Sequence, residues 1–211
     1  MNQLAWGILV LTAIVAIADW TAVARSHRKL EYAAKPTVML GLIALAVVLR
    51  PASSLERACF IGALTLGLVS DVLMMLPGDR FLGGLVAALV EHLAYIAGFL
   101  TRPFHFGLFA VAAAVALASS LAIVPPVYRA VRKKQPRLAA PILTYALVFV
   151  VMVARAGGTG SGVALAGALA FLYSDCLLAW NRFVAPVRFG RLANIVVYHA
   201  GQTLLVLSLA A

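Results

Sequence analysis

Long apolar runs alternate with short polar breaks along the whole chain. Taking ~20 residues as the length that crosses a hydrocarbon core, these breaks define eight candidate spans. They run over 4–24, 35–49, 58–76, 81–100, 104–127, 138–154, 160–180 and 191–210. The second is short, with 14 residues from Pro36 to Leu49 between Lys35 and Arg50, a length that also suits a re-entrant segment. The distribution of basic residues decides between the two readings. With eight spans, 13 Lys or Arg fall in the odd-numbered loops and 4 in the even-numbered ones. Without the second span the sides carry 8 and 9, and the bias disappears. The pattern predicts an all-α integral membrane bundle of eight transmembrane helices, with both termini on the non-cytoplasmic side. Residues 1–211 form a single domain. The first span follows only Met-Asn-Gln and ends at a basic cluster, the reverse of a signal peptide, so it reads as a retained helix.

Composition narrows the class. Apolar residues make up 64% of the 211 and charged ones 11%, against ~45–50% and ~25% in soluble domains. An ordinary cytosolic enzyme and a disordered chain are both excluded. The net charge of +10 does not indicate a nucleic-acid partner, which needs basic residues on a solvated face. Here they sit in gaps between apolar runs and report topology. The Ala- and Arg-rich composition points to a bacterial inner membrane. Cys59 and Cys176 fall near opposite faces of the membrane, which argues against a disulfide and for small core residues. No Cys/His array with metal spacing, Gly-rich phosphate loop or Gly-x-Ser-x-Gly elbow is present. Gly162 and Gly167 read as points of close helix approach, and Gly157, Gly158 and Gly160 as a flexible turn.

With only seven acids, those inside spans need a reason. Asp19, Asp71, Glu91 and Asp175 lie within spans, whereas Glu31, Glu56 and Asp79 lie in loops or at helix ends. An intramembrane carboxylate costs at least ~2.5–3.5 kcal/mol on insertion scales and is a functional candidate by default. A buried acid paired with a helix-end Arg, or hydrogen-bonded for packing, is the alternative, and Asp19, six residues from Arg25, leans towards it. Asp71 and Asp175 lie ~8 Å from the same membrane boundary, from the helical rise per residue. Lys35 opens span two at that boundary, where an ordinary interfacial anchor would also sit, and His92 lies ~16 Å deep. Asn194, Tyr198 and Gln202 recur at i, i+4 and i+8, a polar stripe on one helix face, flanked by His199 and Thr203. The stripe suits either the lining of a site or interhelical hydrogen bonding. Two acids, a boundary cation and a deeper stripe suit a lipid-like molecule whose phosphate meets Lys35. Leu-Val-Ser-Asp-Val-Leu (68–73) and Leu-Tyr-Ser-Asp-Cys-Leu (172–177) lie 104 residues and four spans apart. A parallel 4+4 duplication would produce that spacing.

Several of these residues resemble a known family. Lys35-Pro36, Ser70-Asp71, Phe81-x-x-Gly84 with His92-x-x-Tyr95, Gly167-Ala168-x-x-Phe171-x-x-Ser174-Asp175-x-x-Leu178-Ala179 and Tyr198-x-x-x-Gln202 are similar to the YhhN-type lysoplasmalogenases. The resemblance runs from Lys35 to Gln202, and the Ser174-Asp175 block is its most specific part. It departs at Ser70, where the family more often has Gly, and at Glu91, where the family has a small residue. The resemblance implies a polytopic hydrolase that cleaves the vinyl ether of lysoplasmalogens to a fatty aldehyde and glycerophosphocholine or glycerophosphoethanolamine. The slow step protonates the carbon β to oxygen and creates an oxocarbenium ion. Two carboxylates in different environments can divide the acid and anion roles. Asp71 and Asp175 are then the acid/base pair and Lys35 holds the phosphate. Tyr198, Gln202 and His92 orient water or substrate, with Tyr95, Ser174 and Asn194 also on the substrate site. No metal or organic cofactor is required; the partners are a lysophospholipid and the bilayer.

A proton-coupled transporter is the main alternative, since membrane carboxylates and His also form proton relays. A lipid-binding bundle is another. An intramembrane aspartyl protease would carry Tyr-Asp and Gly-x-Gly-Asp, and a retinal protein a Lys in its last helix; the chain has neither.

Overall fold

The structure, a computed structural model, describes residues 1–78 and 80–210. Asp79, placed in a loop from the sequence, lies outside the described residues. The chain folds into eight long helices: α1 Gln3–Ala24, α2 Arg28–Val48, α3 Ser54–Met75, α4 Phe81–Phe99, α5 Phe106–Lys134, α6 Ala139–Gly158, α7 Gly162–Ala179 and α8 Gly190–Leu207. All eight are long and apolar enough to cross a membrane, and there is no strand among the described residues. Side-chain caps open several of them. Asn2, Ser53 and Ser161 accept from the backbone N–H of Ala5, Glu56 and Ala164 at 2.9, 3.2 and 3.2 Å, satisfying donors that a helix start leaves free.

The second span is not short. α2 begins at Arg28, capped by His27 Nδ1 accepting from the Leu30 N–H at 3.2 Å, and runs 21 residues. Lys35 and Pro36 therefore lie inside the helix rather than at its start. The apolar run ends at Lys35, but Arg28, Lys29 and Glu31 sustain a helix as well as apolar residues do. For the same reason α5 runs past 127, through Pro125 and Pro126, to Lys134. Its last turn carries Arg132, Lys133 and Lys134, where cations meet the negative end of the helix dipole.

Neighbouring helices pair as hairpins, α1 with α2, α3 with α4, α5 with α6 and α7 with α8; α4 on α6 and α8 on α1 and α2 join the hairpins into one bundle. At its centre Phe60 meets Tyr95 and Phe99 edge-to-face, with ring centroids 5.0 and 5.4 Å apart. Leu11, Ile14 and Ile17 of α1 and Leu121 of α5 face outward, each more than half exposed, as a bundle solvated by lipid requires. Cys59 and Cys176 are free thiols, both half-buried, and Cys176 packs against the core.

Small residues set the closest approaches. A Cβ on Gly201 would stand 2.8 Å from the Phe171 nitrogen, and one on Gly167 2.8 Å from the Leu205 nitrogen, so α7 and α8 touch backbone to backbone. Gly162 has nothing within 4 Å and plays no such part. Gly157 and Gly158, expected in a turn, instead end α6, and a Cβ on Gly157 would meet Ala112 Cβ of α5 at 2.4 Å. Only Gly160 makes the turn, at φ +78°. The reason is positional: α6 continues four residues beyond the predicted 154 and carries the first two glycines into the α5 interface.

Gly201→Ala should therefore lower stability by about 1–3 kcal/mol, the usual consequence of overpacking. Gly7→Ala, in α1 with nothing within 4 Å, should leave it unchanged or raised. Thermal unfolding of the two purified variants in detergent checks the contrast.

Candidate active site

A cavity of about 280 Å³ opens where the loops after α1, α3, α5 and α7 gather. Its wall combines Lys35 of α2, Asp71 of α3, Glu91 of α4, Tyr145 of α6, Asp175 of α7 and Asn194 and Tyr198 of α8, with apolar side chains between them. Both motif aspartates thus face one space.

Their surroundings differ. Lys35 Nζ lies 2.7 Å from Asp71 Oδ1, and the Tyr198 hydroxyl donates to Asp71 Oδ2 at 2.9 Å. The Lys35 ammonium also sits 5.4 Å from the centre of the Tyr198 ring, a cation–π distance. Asp71 is thus held by a cation and a phenol. Asp175 is held by hydroxyls: Tyr145 donates to its Oδ2 and Ser174 to its Oδ1, the latter at 3.4 Å. Ser70 plays a different part from its counterpart Ser174. It donates to the Gly84 carbonyl at 2.9 Å, fixing α3 against α4 one residue before Asp71.

A second layer stands behind the wall. Tyr95 donates to Gln202 Oε1 and Gln202 Nε2 to Glu91 Oε1, both at 2.6 Å. Glu91 fills the space left by Gly67, where a Cβ would lie 2.6 Å from its Oε1. The Asn194 amide donates to the Ser174 carbonyl at 2.7 Å. His92 packs among Tyr145, Phe149 and Phe171 at 5.0, 4.1 and 4.9 Å. Its Nδ1 contacts the Ala88 carbonyl and its Nε2 has no hydrogen-bond partner among the described residues. Of the sequence-predicted residues, Lys35, Asp71, Asp175, Asn194 and Tyr198 reach the cavity wall, whereas His92, Tyr95, Ser174 and Gln202 lie behind it.

Three features were missed from sequence. Tyr145 and its bond to Asp175 carry no motif. Glu91 was marked as an acid inside a span and as a departure from the family, with no role attached. At the mouth, Arg191 Nη2 donates to both oxygens of Glu31 at 2.8 and 2.9 Å, a pair 160 residues apart in sequence. Asp19 does not meet Arg25. Six residues of helix turn the two through about 240°, and Asp19 is fully buried while Arg25 is exposed. Asp19 Oδ2 instead lies 3.9 Å from His199 Nε2, and Trp20 Nε1 donates to His199 Nδ1 at 3.1 Å. Among the described residues, no three His, Cys, Asp or Glu side chains converge as a metal-ligand set.

The sequence profile of the YhhN family matches residues 30–209. The chain belongs to the YhhN family. Lysoplasmalogenase TMEM86B of Rattus norvegicus is 32% identical over 147 residues, covering 70% of this chain and 59% of the rat protein. The same-named proteins of Mus musculus and Sus scrofa are each 33% identical, over 70% and 71% of this chain and 61% and 62% of their own lengths. The chain thus spans about three-fifths of these curated relatives. No solved structure matches it. The YhhN match takes in every side chain of the cavity wall described above and leaves all of α1 outside it.

Gln202→Ala leaves Glu91 and Tyr95 without their buried partner, so it should lower stability by about 1–3 kcal/mol. Glu91→Ala with Gln202→Ala should be less harmful than the sum of the two single changes. Unfolding temperatures of the four proteins in detergent measure the coupling.

Proposed function

We propose that this YhhN-family protein hydrolyses the vinyl-ether bond of a lysoplasmalogen, releasing a fatty aldehyde and a glycerophospho-headgroup. The observation that carries the reading is the pairing of two differently held carboxylates on one largely apolar cavity whose mouth carries the ion-paired Lys35 and Arg191. The names of the relatives support it.

The chemistry runs from the side chains. Asp175, held by neutral hydroxyls, supplies the proton to the carbon β to the ether oxygen. Asp71, fixed as the partner of Lys35, provides the negative charge that stabilises the resulting oxocarbenium ion. Water adds to the cation and returns a proton to Asp175. The hemiacetal then collapses to aldehyde and the free glycerol hydroxyl. The net change is addition of one water across the ether, with no redox step. Tyr145 and Tyr198 hold the two carboxylates in position. Lys35 and Arg191 receive the phosphate at the mouth. The excess of basic residues in the odd loops supports a mouth that faces the cytoplasm, with both termini opposite, and the Ala- and Arg-rich composition supports a bacterial inner membrane.

Purified protein should release aldehyde from a lysoplasmalogen and not from its saturated ether analogue. Asp175→Asn should lower that rate by roughly 10²–10⁴-fold, the usual range for loss of a proton-transfer group, and Asp71→Asn by roughly 10²–10³-fold, the range for loss of a group that stabilises transition-state charge. Folded variants that work at the wild-type rate, or substrate flux across proteoliposomes without aldehyde, would overturn the reading.

A further inference from the structure

Beside the acid cavity a second hollow of about 350 Å³ lies between α5 and α6. Leu117, Leu121 and Tyr128 of α5 face Leu143, Leu147 and Val150 of α6 across it. Leu121 and Leu147 are 64% and 65% exposed, so this hollow opens on the lipid-facing side of the bundle, not at the polar mouth. Ser120, Val124 and Ala146 line both spaces. Two of the three have small side chains, so the partition between cavity and hollow is thin.

The boundaries of the opening follow from the packing. Towards one end α5 and α6 close tightly at Ala112 and Gly157. At the other, Val127 and Val131 of α5 pack with Leu138 and Ile142. Between these two seals the helices leave a window. Leu117 to Tyr128 is 11 residues of helix, or about 16 Å at the helical rise. That is close to the depth of one leaflet of a ~30 Å hydrocarbon core. Tyr145, which holds Asp175, precedes Ala146 at the shared wall.

We infer that the window between α5 and α6 is the subsite for the substrate's long hydrocarbon chain, and the route by which that chain enters and leaves the bundle sideways. This rests on the proposed vinyl-ether hydrolysis. The headgroup stays at the polar mouth, the scissile bond reaches the carboxylates, and the chain passes Ser120, Val124 and Ala146 to lie along α5 and α6 against lipid. The released aldehyde then enters the bilayer directly, without crossing the ion pairs at the mouth. The wall of three side chains shared with the acid cavity identifies the occupant: a hydrocarbon chain attached to a molecule already held there is the ligand that needs an apolar extension.

The test measures kcat/KM for a long-chain and a short-chain lysoplasmalogen in the wild type, Leu121→Trp, Leu147→Trp and Val111→Trp. Leu121 and Leu147 contact the hollow from its lipid side, so an indole there fills it without entering the core. Val111 is equally exposed, at 63%, on α5 but outside the hollow. The long-to-short ratio should fall at least 10-fold in the two window variants, the scale on which hydrophobic pockets discriminate chain size. It should not change in Val111→Trp. An unchanged ratio in folded, active window variants would overturn the window. So would an equal fall in Val111→Trp. Ala146→Phe, which closes the partition itself, gives a second reading of the same ratio. If the wild type cleaves neither substrate, the proposed reaction fails rather than the window.

Discussion

Asp71 can stand inside a membrane bundle because Lys35 stands beside it. A carboxylate at that depth needs partners, and the 2.7 Å contact supplies an ammonium from the neighbouring helix. That contact constrains much else. Lys35 must be on the inner face of α2, which it reaches only because the helix starts two turns earlier at Arg28. Tyr198 must stand over both groups, which fixes α8 against α2 and α3. α8 is in turn held on α7 through Gly167 and Gly201, and α7 carries Asp175. The helix that carries Asp71, the two that bring side chains to it and the one that brings the second carboxylate are thus locked into a single geometry.

Hydropathy marked the eight helices because a span must be apolar for about 20 residues, and no packing detail alters that need. The same signal misplaced helix ends wherever polar residues continued the helix, as at Arg28 and Lys134. It could not tell a turn glycine from a packing glycine at 157 and 158, since both readings suit the residue. The site was partly legible for a related reason. Asp71 and Asp175 stand out because charge is rare in a span, and the stripe from Asn194 to Gln202 because it keeps helical period. Partners on other helices have no such mark. Tyr145 is one of six tyrosines, and only the docking of α6 on α7 gives it Asp175. Asp19 was read against Arg25 because they are close in sequence, yet its neighbour is 180 residues away.

The basic residues divide by use as well as by side. At the end carrying few of them, Arg102 pairs with Glu56 and reaches the Ser208 carbonyl at 2.5 Å. Arg155 donates to the Phe99 carbonyl at 3.0 Å, and Arg57 to that of Leu49 at 3.3 Å. Those cations meet carbonyls at helix ends, that of Phe99 alongside the Arg102 backbone N–H. At the opposite end Lys35 and Arg191 border the cavity instead. A charge of +10 therefore includes cations that meet helix ends and a few that border a site.

The proposed reaction also explains why the cavity has two kinds of edge. In a lysoplasmalogen the vinyl ether lies at the junction between a charged glycerophosphate and a long chain. A site that binds both parts must place its acids where polar and apolar surfaces meet. A purely polar cleft would leave the chain in water, and a purely apolar one would strip the phosphate of counter-charge. Here Glu31, Lys35 and Arg191 mark the polar edge, and Ser120, Val124 and Ala146 lead to the apolar one. Asp71, joined to Lys35, belongs to the first edge, and Asp175, joined to Tyr145 next to Ala146, to the second. The carboxylates are therefore unlike each other for the same reason that the two halves of the substrate are.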